Sequence, residues 1–416
     1  MQATTFLLTN RQNGAIGKIA LYMKNLVTLR FMFVSLFVIM SMAVNADIID
    51  YSTDDGFKYQ LYTEAKTAEL VYYNGSATAV SISESVTYGG VVYSVTSLRY
   101  GCFAHCSSLT SINIPSSVTS LGDRCFRDCS SLTSINIPSS VTSLGRACFM
   151  DCSSLTSINI PSSVTSLEGC FSGCSSLTSI NIPSSVTSLG GWCFYGCSSL
   201  PSINIPSSVT SLGEKCFYFC SSLTSINIPS SVTSLGEGCF AWCSSLTSIN
   251  IPSSVTSLGE YCFYGCSSLT SINIPSSVTS LGGSCFEDCS SLTTINIPSS
   301  VTSLGKYCFA GCSSLKTVTC EIPAPIGDNY IFSNAPINEA TLYVPEASLN
   351  SYKTTLPWRD FGTILAIKSS GIEANTVGTS ATVDAIYNLE GKRNGGIKSG
   401  MNILRMSNGT TRKIMK

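Results

Sequence analysis

A chain of 416 residues that is 44% hydrophobic but only 11% charged, with 21 Cys, 32 Gly and a single His, has ample apolar content for a core. That balance excludes a disordered chain. A formal charge of −1 gives no basic surface able to track nucleic-acid phosphates.

Residues 1–46 carry four basic and no acidic side chains, leaving 19 basic against 24 acidic in the remainder. After Met23, Lys24 and Arg30 precede an apolar run from Phe31 that ends in small residues at Val44 and Ala46. This predicts a secretory signal cleaved after Ala46, so that the mature chain begins at Asp47 outside the cell or on its outer surface. The apolar run falls short of the ~20 residues a membrane span needs, and no other run is long enough, so the mature chain is expected to have no transmembrane span. Residues 1–22 have no fold pattern and read as an over-extended start.

Residues 47–93 are expected to form an N-terminal β cap. Phe57, Tyr59 and Leu61 alternate as one strand, and Ala68, Leu70 and Tyr72 as a second, before an Asn74-Gly75 turn leading to Val80 and Ile82. Over residues 94–316 self-similarity takes over. Val-Thr-Ser-Leu begins at Val95, Val118, Val141, Val164, Val186, Val209, Val232, Val255, Val278 and Val301, a 23-residue period with one 22-residue unit at Glu168-Gly169. Within a unit Ile112 and Ile114 alternate with polar residues as a short strand, and Pro115 ends it by removing a ladder donor. Val118 and Leu121 form a second extended segment, and Gly122 turns the chain into Cys125-Phe126-x-x-Cys129, a single helical turn at most. A coil of this length cannot bury its Leu, Ile, Val, Phe and Cys alone, so ten coils must stack around one core. The predicted class is a β-rich solenoid with a parallel strand ladder.

The pattern Leu-x-x-Ile-x-Ile-Pro-x-x-Val-x-x-Leu-Gly-x-x-Cys-Phe-x-x-Cys resembles the BspA-like family of leucine-rich-repeat surface proteins. That resemblance implies a right-handed solenoid, secreted or displayed on a cell surface and often adhesive, with the ligand left open. Residues 317–370 are expected to cap the far end: Leu315, Val318 and Cys320 make a last strand, and Ala340 to Pro345 followed by Trp358 to Phe361 is similar to the family's capping segment. Ser369-Ser370-Gly371 reads as a linker.

The tail, residues 371–416, holds seven basic and three acidic residues. Ala385 to Arg393, Gly400 to Leu404 and Asn408 to Lys416 read as three strands, the last two joined at Asn408-Gly409. With Tyr387-x-Leu389-x-Gly391-Lys392-Arg393 and the basic end, the tail is similar to the sorting domain of the type IX secretion route of Bacteroidota, although Met401-Asn402 departs from that pattern. The resemblance implies secretion machinery as a partner; an independent β module is the alternative.

Candidate chemistry is sparse. Ten Cys-x-x-x-Cys pairs run from Cys102/Cys106 to Cys308/Cys312. Zinc and disulfides are the alternatives for them, but ladders of buried, inert thiols beside Phe fit best. His105 is the sole histidine and fills a position taken elsewhere by Asp128, Gly196 or Trp242, so catalytic triads have nothing to rest on. No Gly-x-Ser-x-Gly elbow or phosphate loop occurs, and neither enzyme activity nor a cofactor is expected. Glu214, Glu237 and Glu260 share one column, a calcium ladder or simply exposed carboxylates. Asn113 and its successors stack as amides along the strand, structural first and a glycan surface second.

Variation between coils concentrates at the two residues before and the two after each Cys-Phe, which should form a lateral stripe. Its aromatic stretch, Trp192, Tyr195, Tyr218, Phe219, Trp242, Tyr261 and Tyr264, uses the side chains most enriched at binding hot spots. The expectation is a non-enzymatic surface protein whose stripe contacts an extracellular protein or glycan, an adhesin. Drift on a solvated edge, in an envelope or matrix component without a specific ligand, is the alternative.

Overall fold

The computed structural model describes residues 48–367 and, beyond them, the backbone of four tail strands. The expected signal segment lies outside the described residues. Six strands open the chain: β1 (Ile48–Ser52), β2 (Phe57–Tyr62), β3 (Thr67–Tyr73), β4 (Ala79–Ser81), β5 (Ser85–Tyr88) and β6 (Val91–Leu98). β1, β2 and β3 are antiparallel neighbours. β5 and β6 form a hairpin around Gly89 and Gly90, both at positive φ, where only glycine avoids strain. β6 then pairs parallel to β3 on one side and to the first repeat strand on the other, so the solenoid grows directly from the cap.

Each coil contributes two short parallel strands. The Ser-Leu pairs form one ladder, Leu98 beside Leu121 and Leu144, then Leu167 through Leu189, Leu212, Leu235, Leu258 and Leu281 to Leu304. The Ser-Ile-Asn segments form the second, in strict register from Ser157↔Ser179 to Asn273↔Asn296. This second ladder runs past the repeats. β4 joins it ahead of Ser111–Asn113, and Thr317–Cys320, Thr341–Val344 and Thr363–Ala366 extend it, giving about 13 turns rather than the ten coils counted from the motif. These outer strands keep the register and the alternation of burial without keeping the motif.

Two interruptions have local causes. Pro201 stands where other coils have Thr and has no N–H to offer Thr178, so Asn181 and Asn204 do not bridge. The 22-residue coil loses its residue between Leu167 and Cys170, and there the Ser-Leu ladder breaks between Leu144 and Leu167.

Between the ladders lies a core one Phe wide. Phe126, Phe149, Phe171, Phe194, Phe217, Phe240, Phe263, Phe286 and Phe309 are fully buried, with neighbouring rings stacked at 5.4–5.8 Å. Tyr73 closes the stack beyond Phe103, and at the far end Phe332 meets Trp358 and Phe361 edge to face. Tyr352 and Trp358 are buried there and donate to the carbonyls of Ile322 and Ile326, both at 3.0 Å.

Ser and Thr are abundant because their hydroxyls bind one coil to the one before. Ser140, Ser185, Ser208 and Ser231 each donate to a Val carbonyl at 2.6 Å, and Thr119, Thr142 and Thr156 to a Thr carbonyl at 3.2–3.3 Å.

The tail is a separate compact unit, residues 368–416. Its strands Val383–Tyr387, Arg393–Asn394, Met401–Met406 and Thr411–Met415 form one antiparallel sheet. The first expected strand is thus two, Val383–Tyr387 folding back on Arg393–Asn394, while the last two pair as expected across a turn outside the described residues.

Truncating one ring of the Phe stack should be costly, because the rings above and below cannot close the gap. Phe217→Ala is expected to lose about 3–5 kcal/mol in urea denaturation.

Candidate functional site

At each Cys-Phe corner the backbone alternates its hydrogen bonds. Arg124, Phe126 and Asp128 donate to Arg146, Cys148 and Met150 of the coil ahead at 2.8–2.9 Å, whereas Cys125, Arg127 and Cys129 donate within their own coil. The corner is thus no more than a turn, as its length allows, and half of its N–H groups serve a third inter-coil ladder. Making those bonds places two residues per coil in the left-handed region. One column runs Arg124, Ala147, Gly169, Trp192, Lys215, Gly238 and Tyr261, the other Asp128, Asp151, Gly173, Gly196, Phe219, Trp242 and Gly265. Glycine takes this backbone without strain, while a bulky side chain costs about 1 kcal/mol or more. Sequence reasoning found these positions by their variability but missed the conformation, because Gly, Asp, Arg and Trp share no propensity that marks it.

All seven aromatic residues of the expected stripe come together along this edge, over four consecutive coils. Trp192 packs on Tyr195 at 4.9 Å, Tyr195 stacks on Tyr218 at 5.3 Å, and Tyr218 meets Phe219 edge-on at 4.7 Å. Phe219 stacks on Trp242 at 5.8 Å, Trp242 meets Tyr264 at 5.1 Å, and Tyr264 meets Tyr261 at 5.9 Å. Trp192, Phe219 and Tyr261 stay 40–42% exposed despite this packing.

Charge is concentrated on the same edge. Between Cys170 and Gly305 the only charged residues are Glu214, Lys215, Glu237, Glu260, Glu287 and Asp288, five acids and one base. Lys215 bridges the glutamate column, its Nζ 2.7 Å from Glu214 and 3.7 Å from Glu237, and lies 5.0 Å from the Trp192 ring centre. A lysine thus supplies the cation between the first two carboxylates of the column that suggested a calcium ladder. Gly238 and Ala241 lack the bulk of their neighbours, and between Tyr218 and Tyr261 the stripe opens into a cleft of about 330 Å³ that also includes Lys215, Glu237 and Tyr264.

The model of the BspA type leucine rich repeat region matches residues 71–169, 168–257 and 233–353. The chain belongs to the BspA-type leucine-rich-repeat family. A leucine-rich repeat protein from Bacteroides ovatus ATCC 8483 is 29% identical, with a TM-score of 0.56 and 77% of each chain covered. A leucine rich cell surface protein from Faecalibacterium prausnitzii A2-165 is 27% identical, with a TM-score of 0.53, covering 77% of this chain and 96% of that one. No curated protein matches.

In this BspA-type solenoid the second cysteine of a pair is a hydrogen-bond donor to the backbone. Cys129, Cys152, Cys174, Cys197, Cys220 and Cys243 each place Sγ 3.1–3.2 Å from the Phe carbonyl of an earlier coil. Burial pushes Cys220, Cys266 and Cys312 up to about 12 and Cys170 up to about 11. His105 is exposed and pairs with Asp128, Nδ1 to Oδ2 3.0 Å. Among the described residues no group of three or more His, Cys, Asp or Glu is gathered to hold a metal ion, and no helix is long and apolar enough to cross a membrane.

The thiols should accordingly be unreactive in the folded protein. Cys170, Cys220, Cys266 and Cys312, raised well above the ordinary ~8.5 by burial, stay protonated as the pH rises from 7 to 9. Iodoacetamide followed by peptide mass spectrometry is expected to label Cys106, the one cysteine not fully buried, ahead of the other 20, which react only on unfolding.

Proposed function

We propose that this chain is a non-enzymatic binding module that works outside the cell, docking an extracellular partner through the aromatic stripe. The observation that carries this reading is the placement of Trp192, Phe219, Trp242 and Tyr261 on left-handed backbone at φ 55–62°. Some coils use Gly169, Gly173, Gly196 or Gly265 in the same columns at no strain and others a non-glycine residue such as Ala147, Asp151 or Tyr307, but only here do four bulky rings on strained backbone fall in adjoining coils. A contact made outside the chain offsets that cost. Rigid, half-exposed Tyr and Trp arrays are what protein hot spots are made of. The charged neighbours of the array are mostly acidic, which favours a protein partner presenting basic side chains over a neutral glycan.

Surface display is part of the same proposal. It is supported by the signal-like segment ending at Ala46 and by the cell-surface description of the F. prausnitzii relative. Residues 371–416 are proposed as the sorting tail, on the strength of their resemblance to type IX signals and their forming a unit of their own.

Binding to immobilised extracellular-matrix proteins, mucins and glycans tests this, with the Trp192→Ser/Tyr195→Ser/Tyr218→Ser/Trp242→Ser/Tyr264→Ser variant alongside. Ser284 already occupies one of the left-handed columns, so serine is a compatible replacement there. Saturable binding to a matrix protein, lost in a variant with unchanged circular dichroism, is expected. Equal binding by both forms would remove the stripe from the account, and no binding by either would leave an envelope-structural role.

A further inference from the structure

We infer that the cleft where the N-terminal cap meets the first two coils is a second binding site, independent of the aromatic stripe, for a saccharide bearing a carboxylate. Its volume, about 560 Å³, suits a small molecule.

Internal comparison shows how it arises. Gly101 sits in the column that later carries Trp192 and Tyr261, and Ala104 in the column that later carries Tyr195, Tyr218 and Tyr264. With both side chains short, the edge is open at this coil. The following coil supplies the charge, Arg124 and Arg127, and no carboxylate is among the lining residues.

The cations are held in place. Arg124 donates to the Tyr100 hydroxyl at 2.7 Å, its guanidinium 5.8 Å from that ring's centre. Asp128 pairs through one oxygen with both His105, at 3.0 Å, and the Nε of Arg127, at 3.2 Å. An Arg guanidinium offers a carboxylate two parallel N–H donors. The remaining wall decides the ligand class. Tyr72 and Tyr100 present exposed rings, and Asn74, Ser107 and Ser108 present an amide and hydroxyls. An acidic peptide side chain would use the arginines alone, whereas a polyhydroxylated ring with one carboxylate uses the arginines, the rings and the neutral donors together.

The test is calorimetric titration of the full chain with N-acetylneuraminic acid and glucuronic acid, against galactose, N-acetylglucosamine and an oligoglutamate peptide. Ala104→Tyr fills the cleft with a residue that three other coils already hold in that column, and Arg127→Gln removes a charge without filling it. The two sugar acids should bind saturably, the neutral sugars about tenfold or more weaker, and each variant should lose about ten- to hundredfold. The five-serine stripe variant should bind them unchanged, so failure here and failure of the stripe are read separately. The inference is overturned if the sugar acids do not bind, if neutral sugars bind as well, if oligoglutamate alone binds, or if both variants bind like the parent.

Discussion

Every coil of this protein depends on the backbone hydrogen bonds it exchanges with its neighbours. A 23-residue coil with two strands of two or three residues cannot pair its own N–H and C=O groups, and one Phe ring cannot make a core. Ladders at Ser-Leu, at Ser-Ile-Asn and at the Cys-Phe corner satisfy the backbone, and the Phe stack fills the space between them. Side chains reinforce these ladders, since Ser and Thr hydroxyls and Cys thiols donate to carbonyls of the preceding coils. The unusual composition, rich in Ser, Thr and Cys and poor in charge, follows from that requirement.

The same constraint determines what is left for function. Residues whose side chains point inward or bond a neighbouring coil are nearly invariant along the stack, and the freedom to differ is greatest at the edge beside Cys-Phe, where the backbone makes the inter-coil ladder. That edge is rigid, because the backbone beneath it is itself a ladder. Bulky or small side chains placed there therefore give ridges or clefts at defined positions. Seven aromatic residues make the ridge from Trp192 to Tyr264, and Gly101 with Ala104 leave the cleft beside Arg124 and Arg127. Ridge and cleft differ in charge, acids flanking the first and cations lining the second.

Much of this was legible before the structure. The Val-Thr-Ser-Leu period dictates the solenoid, Cys beside Phe predicts buried thiols, and comparing near-identical coils singles out the seven aromatic residues that prove to touch. Three features were not legible. Left-handed backbone was hidden because Asp128, Gly196 and Trp242 share a column without sharing a propensity. The extra ladder strands at Ala79–Ser81, Thr341–Val344 and Thr363–Ala366 were hidden because register survives where the motif does not. The junction cleft was hidden because it joins residues near 72, 104 and 127 and is made partly by side chains that are missing.

Residue-resolved hydrogen–deuterium exchange tests the central claim, that the exposed edge is a hydrogen-bonded ladder and a rigid platform. The amides of Trp192, Phe219 and Tyr261 donate to the coil ahead at 2.8–2.9 Å although their side chains face solvent. They should exchange as slowly as the strand amides of Ile226 and Ile249. Exchange at the rate of an open loop, with the strands still protected, would contradict the account.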